Sequence, residues 1–296
     1  MPAIDAVRSM LFAPGDRPDL IIKAARSDAD AVIVDLEDAV AAGAKDAARA
    51  NLAAWPGPDS ALPHFVRING FGSEAMWKDL VAAVEAGAEG VIIPKAANRE
   101  VMLKACGALS GLEAAAGRPE GSITLIPMIE TAQGVLNAVE ILDGCRRVQA
   151  VMFGSGEQGD LVADLGVEWE PAGTGLAYAR SRVLLAARAA GIPHPIDGVF
   201  MDYRDQEALR TESRLARRSG YVAKLAIHPA QVEVINEVFT PTPDEVARHR
   251  AALEAFDRAE AEGTGSVAVD GRMVDRAVAR TARAVLARAR SSSRLP

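Results

Sequence analysis

The 296-residue sequence predicts an α/β fold, a TIM (β/α)8 barrel with a C-terminal helical extension. Short apolar runs rich in Val, Ile and Phe alternate with longer Ala-, Leu- and Arg-rich segments of helical period, as expected for repeated strand–helix units. Most of the runs are continuously apolar, which is typical of parallel strands buried on both faces. Eight such units fill roughly 230 residues, which is the size of one barrel.

The predicted strands are four to six residues long and end at Gly, Pro or polar residues. They are Ser9–Ala13, Ala31–Asp35, His64–Ile68, Gly90–Ile93, Thr124–Ile129, Val148–Phe153, His194–Gly198 and Ala223–Ile227. A high Ala content favours helices between them, and a Gly follows several of these segments as a helix C-cap. The predicted helices are Pro18–Ser27, Ala44–Ala54, Met76–Ala86, Arg99–Glu113, Thr131–Leu142, Gly175–Ala190, Asp205–Ser219 and Pro229–Val238.

After Phe239 the pattern changes, so the barrel is assigned to residues 1–239 and the extension to residues 240–296. The extension has a charged helix from Asp244 to about Glu262, a short Gly-flanked stretch, an Arg-rich helix and a polar tail expected to fray. We expect it to be too small for a core of its own. It should therefore dock on its own barrel or on a neighbouring subunit.

Composition excludes several classes of protein. Lys and Arg number 33 against 40 Asp and Glu, and the net charge of −7 argues against binding to nucleic acid or to an anionic membrane. There is no signal-peptide pattern and no apolar run near the roughly 18 residues of a membrane span. Cys106 and Cys145 predict neither a disulfide framework nor a zinc knuckle, and they fit a reducing cytosol. A soluble cytoplasmic protein is expected.

Polar residues follow the predicted strands, and in barrel enzymes the C-terminal strand ends carry the chemistry. Asp197 and His228 are expected on this rim, together with a cluster of acids. Carboxylates without His or Cys neighbours favour a hard ion, Mg²⁺ or Mn²⁺, and the four histidines show no zinc-binding spacing. The alternative is that individual acids cap the following helices. The cluster comprises Asp35, Glu37, Asp38, Glu130 and Asp160.

Two basic residues also end predicted strands. Arg67 ends an apolar strand, where its fork matches a substrate carboxylate, and the alternative is a structural ion pair with a strand-end acid. Lys95 suits an ion pair or a substrate contact, with a Schiff base as the less favoured alternative. The segment 154–159 literally matches GxGxxG, but acidic residues Glu157 and Asp160 would repel a pyrophosphate.

With these residues in place, the chain resembles the HpcH/HpaI aldolase and citrate lyase β-subunit family, nearest its CoA-dependent lyases. The resemblance covers almost the whole chain and rests on several long motifs in order. They are RSMLFAPGDRPDLIIKA, ADAVIVDLEDAV, FVRIN, GVIIPKA, IPMIET, MFG with DLVADLG, KLAIHPAQVEVINEVFTPT and VDGRMVD.

The resemblance implies a role for individual residues. Glu130 of IPMIET and Asp160 of DLVADLG would hold Mg²⁺, although the longer spacing after MFG leaves Glu157 as an alternative ligand. Arg67 would bind the carboxylate of a 2-oxo acid, and Asp270 would act in a neighbouring subunit's active site. The DLED acids Glu37 and Asp38 would bond the water ligands of the metal, and the CoA moiety would contact Phe12, Arg17 and Lys23.

The implied function is Mg²⁺-dependent cleavage or condensation of a 3-hydroxyacyl-CoA such as malyl-, citramalyl- or citryl-CoA, in a homo-trimer or homo-hexamer. Three alternatives stay open. One is a free-acid aldolase acting on 4-hydroxy-2-oxo acids, and another is a citrate lyase β subunit that works only with acyl-carrier and transferase partners. The third is a thioester hydrolase on the same scaffold.

Overall fold

Eight parallel strands close a barrel in chain order, each paired with the next and the last with the first, which confirms the predicted fold class. The computed structural model describes residues 3–52 and 62–292. Strand positions agree with the prediction to within two residues at each end. The strands are β1 (Ser9–Pro14), β2 (Ala31–Asp35), β3 (His64–Arg67), β4 (Gly90–Ile93), β5 (Thr124–Ile129), β6 (Ala150–Phe153), β7 (His194–Asp197) and β8 (Ala223–Ala226).

Helices follow the strands as predicted, with two differences. The segment predicted as one helix over Thr131–Leu142 divides at Asn137, whose side-chain amide donates to the Ala97 carbonyl at 2.9 Å. A short helix not predicted from sequence begins at Asp160. No described helix has both the length and the apolar content to cross a membrane. The barrel helices are α1 (Pro18–Ala25), α2 (Lys45–Leu52), α3 (Glu74–Glu85), α4 (Arg99–Ala115), α5 (Ala132–Leu136), α6 (Ala138–Leu142), α7 (Asp160–Leu165), α8 (Ala177–Ala189), α9 (Gln206–Ser219) and α10 (Val232–Phe239).

The strands fill the barrel interior with every second side chain. Ile33, Phe65, Met128, Met152 and Ile196 all belong to this interior core. Because side chains alternate along a strand, the residue two positions further on points inward as well. These next inward positions form the layer above the core, at the C-terminal strand ends. They are Asp35, Arg67, Glu130, Gly154 and Gly198.

The chain divides into two compact units between Val238 and Phe239. The second unit contains α11 (Pro243–Ala261), the antiparallel pair β9 (Ser266–Val269) and β10 (Arg272–Asp275), and α12 (Arg276–Ser292). It has a small core of its own around Phe256, Val274 and Ala279, so the expectation of no core is wrong. The reason is the hairpin, whose alternating valines supply the apolar face that two charged helices lack.

The end of the second unit also differs from the prediction. The tail, expected to fray from residue 290 onwards, is helical through Ser292. Its last four residues lie outside the described ranges.

The two cysteines form a disulfide, contrary to the sequence-based expectation. Cys106 lies on α4 and Cys145 follows α6, with Cα atoms 6.5 Å apart. A separation of 39 residues carries no pairing signal in a sequence with two cysteines. The two thiols meet because α4 and α6 are neighbours around the barrel.

Candidate active site

A cavity of about 470 Å³ opens at the C-terminal end of the barrel, within the size range of small-molecule sites. Ten of the residues that line it form two groups. The first, which we call the charged side, contains Asp35, Asp38, Arg67, Glu130 and Asp160. The second, which we call the apolar side, contains Met128, Val199, Met201, Leu225 and Ile227.

Two glycines keep the cavity open in the inward layer. A Cβ at Gly154 would overlap the Glu130 side chain. A Cβ at Gly198 would lie 2.5 Å from both the amide nitrogen and Oγ of Ser155. No side chain larger than hydrogen fits either position without moving its neighbours, and the absence of a side chain at Gly154 gives Glu130 room to face a ligand.

Arg67 is held by Asp35, the last residue of β2, and by Glu37, two residues later. Its Nε and Nη2 donate to the two oxygens of Asp35 at 2.7 and 2.6 Å, and Nη1 lies 3.1 Å from Glu37 Oε2. The guanidinium also lies over the Phe12 ring, 4.9 Å from its centroid. The structure therefore contains the ion pair that the sequence left as an alternative. A guanidinium has five N–H groups, so two remain for a ligand.

Lys95 connects the acids of the charged side. Its ammonium lies 2.7 Å from Glu37, 3.3 Å from Asp38 and 3.2 Å from Asp160. Its amide N–H donates to Glu130 Oε1 at 2.9 Å. Its backbone φ of 50° is in the left-handed region, which is uncommon for a residue other than glycine.

The charge state of Lys95 follows from these contacts. Burial opposes its charge, but the hydrogen bond to Glu37 and the nearby acids raise the pKa of the ammonium. A protonated amine is a poor Schiff-base nucleophile, so this environment disfavours the covalent alternative.

Glu130 is a buried acid that lines the cavity, with 6% of its surface exposed. Burial raises its pKa to about 7, against the opposing effects of the Lys95 amide and the Arg67 charge. Burial likewise raises the pKa of Glu37. Although burial opposes the shift, the Lys95 ammonium lowers the pKa of Asp38. Glu130 is therefore a carboxyl group that a proton or a cation can occupy near neutral pH.

The charged side fits a hard divalent cation that takes few protein ligands. Together with Glu37 the site has five acids but only two bases, Arg67 and Lys95. The two bases neutralise part of the negative charge for which a metal ion was expected from the sequence. Over residues 3–52 and 62–292, no group of three or more His, Cys, Asp or Glu residues is arranged to hold an ion. Mg²⁺ commonly takes one or two carboxylates and completes its shell with water and substrate oxygens. Glu130 and Asp160 supply two carboxylates on one cavity.

Asp160 reaches the cavity because it is the first residue of α7. Glu157, the alternative ligand, is exposed three residues earlier and does not line the cavity. The sequence did contain signals for α7: an acid in the first turn and Gly166, which adopts the left-handed C-cap conformation with φ of 62°.

The three residues expected to contact CoA lie in different places. Phe12 lines the cavity. Arg17 is exposed and its guanidinium is hydrogen-bonded to Asp19 at 3.0 and 2.9 Å. Lys23 lies in a separate shallow pocket with Arg26, Ser27 and Pro229.

Asp270 belongs to the second unit. It is exposed at the turn of the β9–β10 hairpin, where it and Gly271 have φ values of 48° and 74°. Two successive positive φ values indicate a type I′ turn, for which Asp-Gly is a favoured sequence. The turn fixes Asp270 at the tip of a rigid ribbon.

Asp197 was expected on the rim, but it lies outside the barrel wall. It follows the inward Ile196, so it points towards the helices, where Lys224 donates to it at 2.8 Å and Arg180 is also hydrogen-bonded to it. Lys224 is also paired with Glu212. Although burial opposes its ionisation, Arg180 and Lys224 lower the pKa of Asp197.

His228 was also expected on the rim, and it does not line the cavity. It stacks on Tyr203 with ring centroids 4.3 Å apart and accepts a hydrogen bond from the Ala230 amide at 3.1 Å.

Sequence reasoning missed the partner of Arg67 and the whole apolar side. Asp35 was counted among the metal-binding acids, whereas both its oxygens accept from Arg67. Strand alternation was the available signal, since Ile33, Phe65 and Ile196 are interior and the residues two positions later share their direction.

The comparisons with known proteins agree on one family. The model described as HpcH/HpaI aldolase/citrate lyase matches residues 8–229. The chain is 39% identical over 284 residues to a (3S)-malyl-CoA thioesterase of Cereibacter sphaeroides, covering 95% of this chain and 94% of the relative. It is 34% identical over 281 residues to citrate lyase subunit beta of Leuconostoc mesenteroides subsp. cremoris, covering 94% and 92% respectively.

A solved structure shows the same fold. The crystal structure of protein CitE from Mycobacterium tuberculosis in complex with magnesium, acetoacetate and coenzyme A matches with a TM-score of 0.75. The two chains are 33% identical, and the match covers 96% of this chain and 99% of that chain.

Proposed function

Because the chain belongs to the HpcH/HpaI aldolase/citrate lyase family, we propose that it is a Mg²⁺-dependent carbon–carbon lyase acting on a 3-hydroxyacyl-CoA. Substrates of this class are malyl-, citramalyl- and citryl-CoA, which give an acyl-CoA and a 2-oxo acid. The observation that carries the proposal is the buried Glu130 carboxyl on a cavity shared with Arg67 and Asp160. Relatives named as a malyl-CoA enzyme and a citrate lyase subunit support the substrate class.

Glu130 and Asp160 would hold the Mg²⁺, or Mn²⁺ in its place. Both acids line the cavity, and both are bonded to Lys95, Glu130 through the amide and Asp160 through the ammonium. When bound, the ion supplies Lewis-acid stabilisation of negative charge on the substrate oxygen at the bond that breaks.

The remaining chemistry belongs to the chain's own residues. The two unused N–H groups of Arg67 would hold the carboxylate of the oxo-acid half. Glu37 and Asp38, fixed by Lys95, would accept hydrogen bonds from water bound to the metal. In the cleavage direction the hydroxyl gives its proton to water, and the oxygen's electron pair forms the carbonyl of the oxo acid as the C–C bond breaks. The electron pair of the broken bond passes to the α-carbon of the acyl-CoA, which then takes up a proton.

Asp270 of a partner subunit would deliver the proton to that α-carbon. This assignment rests on its fixed, exposed position at the hairpin tip and on the homo-trimer or homo-hexamer that the resemblance implies. Phe12, Arg17 and Lys23 are proposed to contact the CoA moiety, with Lys23 and Arg26 supplying positive charge for phosphate. The chain is proposed to act in the cytoplasm.

Subunit mixing tests the role of Asp270. The Asp270→Asn and Glu130→Gln variants should each be inactive alone, because each lacks one group of every site. After the two are dissociated and reassembled together, about a quarter of the sites would combine Glu130 of one subunit with Asp270 of another, and activity should return in that proportion. Mixtures as inactive as the separate variants would contradict action between subunits.

A coupled assay of the purified chain tests the proposed function. We expect cleavage of at least one of malyl-, citramalyl- and citryl-CoA with Mg²⁺ and none after exhaustive EDTA treatment. Release of free CoA without an oxo acid would favour a thioester hydrolase, and cleavage of free 4-hydroxy-2-oxo acids a free-acid aldolase. Activity only after adding acyl-carrier and transferase subunits would favour a citrate lyase β subunit.

A further inference from the structure

The charges around the cavity limit how many carboxylates a ligand can place there. Among the described residues that line it, Arg67 is the one basic side chain, against the acids Asp35, Asp38, Glu130 and Asp160. Lys95 lies nearby, but its ammonium already contacts three acids. The protein therefore offers an anionic ligand a single cationic contact in addition to a metal ion.

The bonding of Arg67 limits that contact further. Three of its five N–H groups face Asp35 and Glu37. The remaining two, on Nη1 and Nη2, suffice for the two oxygens of one carboxylate. A second carboxylate on the same oxo acid has no donor left on Arg67.

Apart from the exposed Gln158 and the backbone of the glycine-rich segment 154–159, a second carboxylate would meet the apolar side or the acids. The apolar side is built from Met128, Val199, Met201, Leu225 and Ile227 and presents no polar side-chain atom other than thioether sulfur. Facing a carboxylate with these groups removes it from water without a partner, which is strongly unfavourable. A hydrogen or small alkyl substituent gains from contact with the same groups.

On the basis of the proposed function, we propose that the cavity selects substrates whose oxo-acid half has one carboxylate and an uncharged substituent. Glyoxylate and pyruvate units meet this description, so malyl- and citramalyl-type thioesters are the substrate class. Citryl-CoA, whose oxo-acid half is the dicarboxylate oxaloacetate, is rejected. Specificity then depends on the apolar side opposite Arg67.

Binding of the oxo acids tests this without turnover. Titration calorimetry with Mg²⁺ would compare pyruvate, freshly prepared oxaloacetate and 4-methyl-2-oxopentanoate, in which an isopropyl group replaces the second carboxylate with nearly the same shape. We expect pyruvate and 4-methyl-2-oxopentanoate, whose substituents are uncharged, to bind at least about tenfold more tightly than oxaloacetate. Equal or tighter binding of oxaloacetate, or no binding of pyruvate, would overturn the proposal.

A gain of charge tests the apolar side directly. Met201 lines the cavity and is 38% exposed, so an arginine can be placed there without burying its charge completely. Met201→Arg should lower the preference for citramalyl-CoA over citryl-CoA in kcat/KM by at least about tenfold, while the polar but neutral Met201→Gln should not. An unchanged ratio of the two kcat/KM values in Met201→Arg would contradict the proposal that the apolar side determines which oxo acid binds.

The two proposals fail in different ways. If no thioester is cleaved but the order of oxo-acid binding holds, the lyase function is wrong and the selectivity of the cavity stands. If cleavage occurs and oxaloacetate binds as well as pyruvate, the function stands and the selectivity is wrong.

Discussion

Replacing Glu130 by Gln is expected to lower kcat/KM for Mg²⁺-dependent cleavage by about a thousandfold or more. Gln has nearly the same shape as Glu but lacks the negative charge that would bind the metal. The amide oxygen of Gln can still accept from the Lys95 N–H, so the fold of the loop should be retained. A steady-state assay over a Mg²⁺ titration measures both the loss and any shift in metal affinity. Glu157→Gln, at an exposed acid outside the cavity, is the matched control and should keep wild-type activity.

The pKa of Glu130 adds a second readout of the same variant. Burial raises this pKa to about 7, so below that pH a proton occupies the carboxyl and competes with the cation. Mg²⁺ affinity should therefore rise with pH through the neutral range in the wild type and lose that dependence in Glu130→Gln. Full activity of the variant, or the same pH dependence in both proteins, would show that Glu130 does not hold the metal.

Lys224→Met is expected to lower the free energy of unfolding by about 3 to 5 kcal/mol, because it leaves two buried acids, Asp197 and Glu212, to share the single cation Arg180. Lys224 is fully buried and donates to Asp197 and to the Gly198 carbonyl, both at 2.8 Å. Denaturant unfolding at pH 7 would measure the loss. Because Gly198 lines the cavity, the variant also removes one of the contacts that fix this part of its wall.

Two controls distinguish this effect from an ordinary lost ion pair. Arg210→Met breaks a surface pair with Glu237 and should lower the free energy of unfolding far less than Lys224→Met does. Adding Glu212→Gln to Lys224→Met removes one buried charge of each sign, so the double variant should lose less than the sum of the single losses. A Lys224→Met protein as stable as the wild type would show that the buried network contributes no net stability.

The barrel was predictable because its strands are continuous apolar runs separated by strong helix formers. Gly90–Ile93 and Thr124–Ile129 have the predicted bounds, since a Gly, a Pro or a polar residue marks each end. Helix α7 was missed, because the glycine-rich segment before it reads as loop and the helix has only six residues, although Asp160 and Gly166 mark its two ends.

The sequence predicted which residues line the candidate site better than it predicted the contacts that they make. Arg67, Glu130 and Asp160 line the same cavity, as their positions after strands suggested. Asp197 also ends a strand, but its side chain points outward, because direction alternates along the strand. The pairing of Arg67 with Asp35 is a tertiary contact that linear spacing does not encode.

Manganese-edge anomalous diffraction from crystals grown with Mn²⁺ locates the cation most directly, because Mn²⁺ can replace Mg²⁺ at an oxygen site. We expect one anomalous peak in the barrel mouth within about 2.3 Å of carboxylate oxygens of both Glu130 and Asp160. The peak should be missing from crystals of Glu130→Gln grown in the same way. A peak elsewhere, or none in the wild type at millimolar Mn²⁺, would contradict a metal-dependent lyase at this site.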